Sequence, residues 1–596
     1  MNKIVDLKQL KNPNIVKEMD ESALRDLCAQ IRQEILEDVS LCGGHLSSNL
    51  GIVELTVALY RSFDFPKDKL LFDVGHQCYV HKILTGRDLS KLNEFDGPSG
   101  FIKRAESPYD CFEAGHSSTA LSGGEAFAIA RDMKDEDFNV VVLIGDASLA
   151  NGVSFEALNN IACRKNKVII VLNDNDMSIS KPVGGLENVL RSISPTYDDE
   201  EKAKHPHIKL NNKTIFEELG LEYIGPVNGH DISALDEAFQ KAKRSKKSVI
   251  VHTFTKKGKG YSFAENDESG DWHYTAPFDI DTGLPKNKHA NQISFSKFMG
   301  DLCCEALRNN PESVLICPAM IKGSLLESAF DTYPERCFDM GISEEHAAVF
   351  TGAITLRGIH PILCVYSTFL QRAYDEILHD CARIHADMTL LVDRVGLIGK
   401  NGETHMGIYD VGFLRSIPGI IISMPSTLSE ARALMDLSME KGHGVFAIRY
   451  LGIFENLKET EKREKLEFLK WKIVQKGNQK KQAVIALGPH GKELFDKLLQ
   501  AGYDGTLVNP LFLNPFDETV FQELLRYKEL VIYDAYGTEN GFSESVKKYL
   551  FENHFHGKAT FFSLPNDFIA HDSVQNQEKR YGISVNQIYD YILKKS

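Results

Sequence analysis

Short apolar runs alternate with amphipathic stretches along the whole of this 596-residue chain, and that alternation constrains the fold more than any other feature. Runs such as Val140-Val141-Val142-Leu143-Ile144 and Val168-Ile169-Ile170-Val171-Leu172 are apolar at every position, so neither face of such a strand can meet water. Parallel sheets covered by helices satisfy that condition. The expected fold class is α/β, with mostly parallel sheets and helices on both faces. The pattern falls into three blocks. The first fades into the polar stretch from Asp279 to Gln292. The second holds Ile362-Leu363-Cys364-Val365-Tyr366, Thr389-Leu390-Leu391-Val392-Asp393 and Val445-Phe446-Ala447-Ile448, and ends at the charged run Lys458 to Lys465, read as a solvated connector. The third contains Ala483-Val484-Ile485-Ala486-Leu487 and Leu530-Val531-Ile532-Tyr533. A chain this long exceeds a single core, and the expected domains are 1–290, 293–457 and 468–596.

Charge and cysteine usage narrow the function classes. A net charge of -15 opposes nonspecific binding to nucleic acid or to an anionic membrane, so any anionic substrate needs local basic groups. The 11 cysteines are scattered without a Cys-x-x-Cys, which suggests neither a zinc site nor a disulfide framework and fits a reducing compartment. No apolar run approaches the roughly 18 residues needed to span a membrane, and Met1 to Lys8 lacks the apolar stretch of a signal peptide. A soluble, cytoplasmic protein without nucleic-acid or membrane partners is expected.

Gly145-Asp146-Ala147-Ser148 follows the first strong strand. A helix is predicted from Ser154 to about Ile161, and then a second strand ending in Asn173-Asp174-Asn175-Asp176-Met177. This is a βαβ unit with oxygen donors at the carboxyl ends of both strands, where open α/β sheets bind ligands. Asp146 and the Asn175 amide oxygen are hard ligands suited to Mg²⁺, which commonly bridges protein carboxylates and phosphate oxygens. An Asp that ends a strand also serves as an ordinary turn or helix cap, and on these residues alone both readings stand.

The surroundings add a resemblance. Gly43-Gly44-His45-Leu46-Ser47-Ser48, Asp73-Val74-Gly75-His76-Gln77, Gly115-His116-Ser117-Ser118, Asn173 to Ser180 and Tyr366-Ser367-Thr368-Phe369-Leu370-Gln371-Arg372-Ala373-Tyr374-Asp375 together resemble the 1-deoxy-D-xylulose-5-phosphate synthase family, in order, from about residue 20 onward. The resemblance implies three transketolase-like domains, thiamine diphosphate and Mg²⁺ as cofactors, and a homodimer. It implies decarboxylative condensation of pyruvate with glyceraldehyde 3-phosphate, in service of isoprenoid, thiamine or pyridoxal precursors. By the same resemblance Asp146, Asn175 and the Met177 carbonyl hold Mg²⁺. Gly145, Ala147, His76, His116, Ser117 and Ser118 bind the cofactor, with Ala147 replacing a family glycine and narrowing the approach to the diphosphate; Lys257 either adds cofactor-binding charge near the phosphates or belongs to a solvated basic loop. Glu344 shares a proton with the aminopyrimidine ring, Phe369 stacks on it, and His45, His76, His116, His273 and His405 line the cleft over the thiazolium. Tyr366, Arg372, Arg394 and His405 face the substrate.

Two departures from the family pattern fall at the aldehyde end. The family's Arg-Tyr-Pro-Arg is Arg449-Tyr450-Leu451-Gly452 here, and an aspartate gives way to Asn401 in Lys400-Asn401-Gly402-Glu403-Thr404-His405. They keep open a relative that uses a different aldehyde or ketose. Ala147 keeps open a protein that binds the cofactor without catalysis, against which the retained Glu344 stands.

Overall fold

In the computed structural model, residues 7, 10, 12–175, 183–193, 213–267, 269–286 and 291–594 are described. The chain divides into two compact units, Met1–Lys288 and His289–Ser596.

Unit 1 is built on five strands, β1 (Lys69–Phe72), β2 (Val140–Gly145), β3 (Ile169–Asp174), β4 (Glu222–Asn228) and β5 (Val249–Phe254), ordered β1-β2-β3-β5-β4 and parallel throughout. The apolar runs explain this arrangement. Val141, Leu143, Ile169, Val171, Val249 and Val251 enter one core with the helices Glu21–Cys42 and Val53–Ser62. Their neighbours Val140, Val142, Ile144, Ile170, Leu172 and Ile250 enter a second core with the helices Ala120–Met133 and Gly152–Cys163. Successive strand residues point to opposite faces, so a run without polar interruption needs a helical layer on each side. The helix predicted from Ser154 starts at Gly152, because the Asn151 side chain caps it by accepting from the Val153 N–H.

Unit 2 opens with β6 (Gln292–Ser294), then β7 (Ser313–Cys317), β8 (Cys337–Asp339), β9 (His360–Tyr366), β10 (Met388–Asp393), β11 (Ile421–Ser423), β12 (Val445–Arg449) and β13 (Phe454–Asn456). It continues with β14 (Lys472–Gln475), β15 (Gln482–Ala486), β16 (Thr506–Asn509), β17 (Phe512–Asn514), β18 (Glu529–Thr538) and β19 (Lys558–Leu564). A seven-stranded sheet runs β17-β11-β12-β10-β9-β7-β8 and a five-stranded one runs β14-β16-β15-β18-β19. Both are parallel except where β17 meets β11 and β14 meets β16. Strand β17, from the third block of sequence, completes the sheet of the second block, and one continuous hydrophobic core serves both sheets. No helix among the described residues is long and apolar enough to cross a membrane.

Candidate active site

Asp146 leaves the end of β2 and opens the short helix Asp146–Leu149. Its side chain is only 4% exposed. Oδ1 accepts the Ala147 N–H at 2.9 Å, whereas Oδ2 is enclosed with no hydrogen-bond partner among the described residues. Burial, reinforced by the charge of Asp174, pushes the Asp146 carboxyl far above the usual range, against the pull of Lys257. A buried carboxylate oxygen without a donor is a group that a cation satisfies. Asn175 directly follows β3, whose Asn173 is in register with Gly145, so it leaves the sheet at the same end as Asp146. Met177 lies outside the described residues. Among the described residues no three His, Cys, Asp or Glu converge as metal ligands; the expected Mg²⁺ set contains only one carboxylate. Ala147 is absent from the residues with positive φ, so the methyl that stands for glycine brings no backbone strain.

Asp73 and Ser148, which carried no assigned role in the sequence reading, lock the neighbouring loop. The Asp73 carboxylate accepts the N–H groups of Ser118 at 2.8 Å and Ala120 at 3.1 Å. The Ser118 hydroxyl donates to the Ser148 carbonyl at 3.0 Å, and Ser154 donates to the same oxygen at 2.7 Å. Ser118 is fully buried, so its hydroxyl ties the loop down while His116 and Ser117 stay half-buried. Asp174, whose charge acts on Asp146, pairs with His252 at 3.0 Å, and the other ring nitrogen of His252 meets the Tyr223 hydroxyl at 2.9 Å.

Three histidines from distant segments form one cluster. Ring centroids lie 5.1 Å apart for His45 and His76, 5.5 Å for His45 and His273, and 5.1 Å for His76 and His273. Backbone pairing brings His273 in: Gly44 and Thr275 exchange hydrogen bonds at 2.9 Å, and the Ser47 N–H donates to Trp272 O at 3.0 Å. Gly43 is required at this crossing, with φ 73° and with Thr275 O only 2.8 Å from where a Cβ would stand. Burial, then the neighbouring imidazole and ammonium charges, holds His45 and His273 well below the usual histidine pKa, so both are neutral at pH 7. The Lys257 loop is held against the same segment by the Gly258 N–H donating to Ser47 O at 2.8 Å. Burial pulls the Lys257 ammonium down to about 8, opposed by Asp146 and Asp267.

In unit 2, Glu344 opens the helix Glu344–Thr355 and is 5% exposed. Its Oε2 has no partner among the described residues, and burial lifts the carboxyl to about 7, with Arg372 pulling the other way. Tyr366, the last residue of β9, stacks on Phe369 at 5.8 Å and 7°, and Phe369 meets His405 edge-on at 5.6 Å. The Arg394 guanidinium lies 5.3 Å from the centre of the Tyr366 ring. Its Nη2 donates to Gly323 O at 2.8 Å and Nη1 to Ser296 Oγ at 2.5 Å. Residue 452 explains how it fits: a Cβ there would lie 2.6 Å from Arg394 Nη1 and 3.1 Å from Cζ, so the space a side chain would need is filled by Arg394. The His405 loop rests on the segment before the helix Val574–Arg580, with the Glu403 N–H donating to Ile569 O at 2.8 Å and Gly402 packed against the His571 backbone. Asn401 Oδ1 is enclosed without a partner among the described residues.

Comparison with known proteins bears on both groups of residues. A family model described as 1-deoxy-D-xylulose-5-phosphate synthase matches residues 7–205 and 194–255. The 1-deoxy-D-xylulose-5-phosphate synthase of Listeria monocytogenes serotype 4b is 40% identical over 593 residues, covering 98% of this chain and 96% of that one. The chain belongs to the 1-deoxy-D-xylulose-5-phosphate synthase family. The synthase of Geobacillus thermodenitrificans is 38% identical over 628 residues, 99% of this chain and 98% of that one. Within the family frame, residues 291–451 match the transketolase pyrimidine binding domain and 470–588 the transketolase C-terminal domain. Among solved structures, transketolase from Campylobacter jejuni matches with a TM-score of 0.43 at 17% identity, over 97% of this chain and 100% of that one.

Proposed function

We propose that this protein is a thiamine-diphosphate and Mg²⁺-dependent transferase that joins pyruvate to glyceraldehyde 3-phosphate, releasing CO₂ and forming 1-deoxy-D-xylulose 5-phosphate. The observation that carries this reading is Glu344, a buried carboxyl at a helix start, lifted to about 7 and with an oxygen left open. A group so poised can give and take a proton near neutrality. When bound, thiamine diphosphate supplies a nucleophilic carbon and an electron sink for the decarboxylation.

The chain's own residues do the rest. Asp146, Asn175 and the Met177 carbonyl would hold Mg²⁺, and Lys257 would neutralise diphosphate charge. Glu344 holds a proton at Oε2 that it would share with the pyrimidine ring of the cofactor, to which Phe369 would offer a flat apolar face. His45 and His273, both neutral, and His76, clustered with them, orient the carboxylate and hydroxyls of the substrates by donating and accepting hydrogen bonds. Arg394, Arg372, Tyr366 and His405 receive the phosphorylated aldehyde. A homodimer, a cytoplasmic location and a division into domains at 1–290, 293–457 and 468–596 belong to the same proposal.

The test is mass spectrometry of the product formed from pyruvate and glyceraldehyde 3-phosphate with both cofactors, beside a Glu344→Ala control. A deoxyxylulose phosphate absent from the control is expected. CO₂ release without that product, or equal product from the control, overturns the reading.

A further inference from the structure

Asn49 stands at the junction of the two loops that present His45 and His76. It is fully buried in the short helix Ser47–Gly51, and its side chain faces no solvent. Its Nδ2 donates to the His45 carbonyl at 2.8 Å and to the His76 carbonyl at 2.9 Å. Its Oδ1 accepts the Tyr79 N–H at 2.8 Å. A primary amide has two N–H donors at one end and an acceptor at the other, and all three are used. Only one orientation of the amide satisfies these partners, since the flipped one would set an oxygen against two carbonyls. The Tyr79 hydroxyl closes the circuit by accepting the His45 backbone N–H at 3.1 Å.

We infer that Asn49 is a positioning residue for catalysis, stapling the His45 and His76 backbones so that their imidazoles are held edge to face, 5.1 Å apart. No other side chain reproduces this. Aspartate has the shape but turns an oxygen toward both carbonyls, alanine removes the one side chain that joins the His45 and His76 carbonyls to the Tyr79 N–H, and glutamine is one carbon too long for the gap. The inference rests on the proposed function for the meaning of the histidine pair, but its geometry can be tested without turnover.

The experiment compares wild type, Asn49→Ala and Asn49→Asp in two readouts. The first is the rate at which diethyl pyrocarbonate modifies each histidine of the cofactor-free protein, read peptide by peptide. His45 is expected to react several-fold faster in both variants while His490, in unit 2, keeps its wild-type rate. The second is steady-state kinetics: kcat is expected to fall on the order of ten- to a hundredfold, because a misplacement of about 1 Å at a catalytic group carries a penalty of that size. Thiamine diphosphate affinity is expected to stay near wild type. The deficit of Asn49→Asp is expected to shrink toward acid pH, where a protonated carboxyl regains one donor, and that of Asn49→Ala is not. Unchanged His45 reactivity with kcat within twofold of wild type overturns the inference, as does equal acceleration at His45 and His490, which would mark general loosening. Absence of activity in wild type itself would instead strike the proposed function, and the histidine reactivities would still decide the role of Asn49.

Discussion

Replacing Glu344 by Gln is expected to stabilise the cofactor-free protein above neutral pH while removing its activity. The carboxyl is 5% exposed, and burial raises it from 4.5 to about 7. Between those two values the folded chain retains a proton that the unfolded chain has released. Stability therefore falls as pH rises through that window, and the deficit is complete above the folded value. At ~1.4 kcal/mol per unit the full deficit is about 3 kcal/mol. Glutamine keeps the size of the side chain and cannot ionise, so the variant escapes it. Denaturant titrations of the cofactor-free wild type and variant should show little difference near pH 4.5 and a gain of about 3 kcal/mol near pH 8.5. Turnover should fall by roughly 10²- to 10⁴-fold, the range for loss of a positioned acid-base group. A stability difference that does not grow with pH refutes the assignment of Glu344 as a buried carboxyl with a raised pKa. Undiminished turnover refutes its role in proton exchange.

Three further outcomes follow from the same geometry. Asp146→Asn should abolish the gain in thiamine diphosphate affinity that Mg²⁺ confers, measured by calorimetry with and without the metal; since Oδ2 has no donor among the described residues, the variant should be at least as stable as wild type when cofactor-free. Thiamine diphosphate affinity should weaken as pH rises through about 8, where the Lys257 ammonium loses its proton, and Lys257→Met should bind more weakly with that pH dependence gone. Gly452→Ala places a methyl 2.6 Å from Arg394 Nη1 and must move the guanidinium. KM for glyceraldehyde 3-phosphate should rise about ten- to a hundredfold, matching about 1.5–3 kcal/mol for a charged hydrogen bond, with KM for pyruvate unchanged in steady-state kinetics.

Amino-acid order alone determined the α/β class, the strands at Val140–Ile144, Ile362–Tyr366 and Leu530–Tyr533, and the polar residues that end them. These features are local. A run apolar at every position must be covered on both faces, and a polar residue that ends such a run must sit at the rim of the sheet. The resemblance to the family brought Glu344 and the histidines into view, because their flanking segments are contiguous. What only the tertiary structure decided is what those residues meet. That His45 and His273 share a cluster depends on Gly44 pairing with Thr275. That Asp146 and Glu344 each keep an oxygen without a partner among the described residues depends on which donors fail to reach them. Asn49 could have been suspected, as a polar residue between Leu46 and Leu50, but its three partners come from two loops. Gly452 reads in sequence as a missing side chain, and in space as the room taken by Arg394. Strand β17 reads as part of the last block, yet it pairs with β11 of the block before. Periodicity records which face of an element is buried over a few residues; pairings between distant segments depend on how those faces stack, and the protonation of Glu344 depends on the desolvation that the stacking creates.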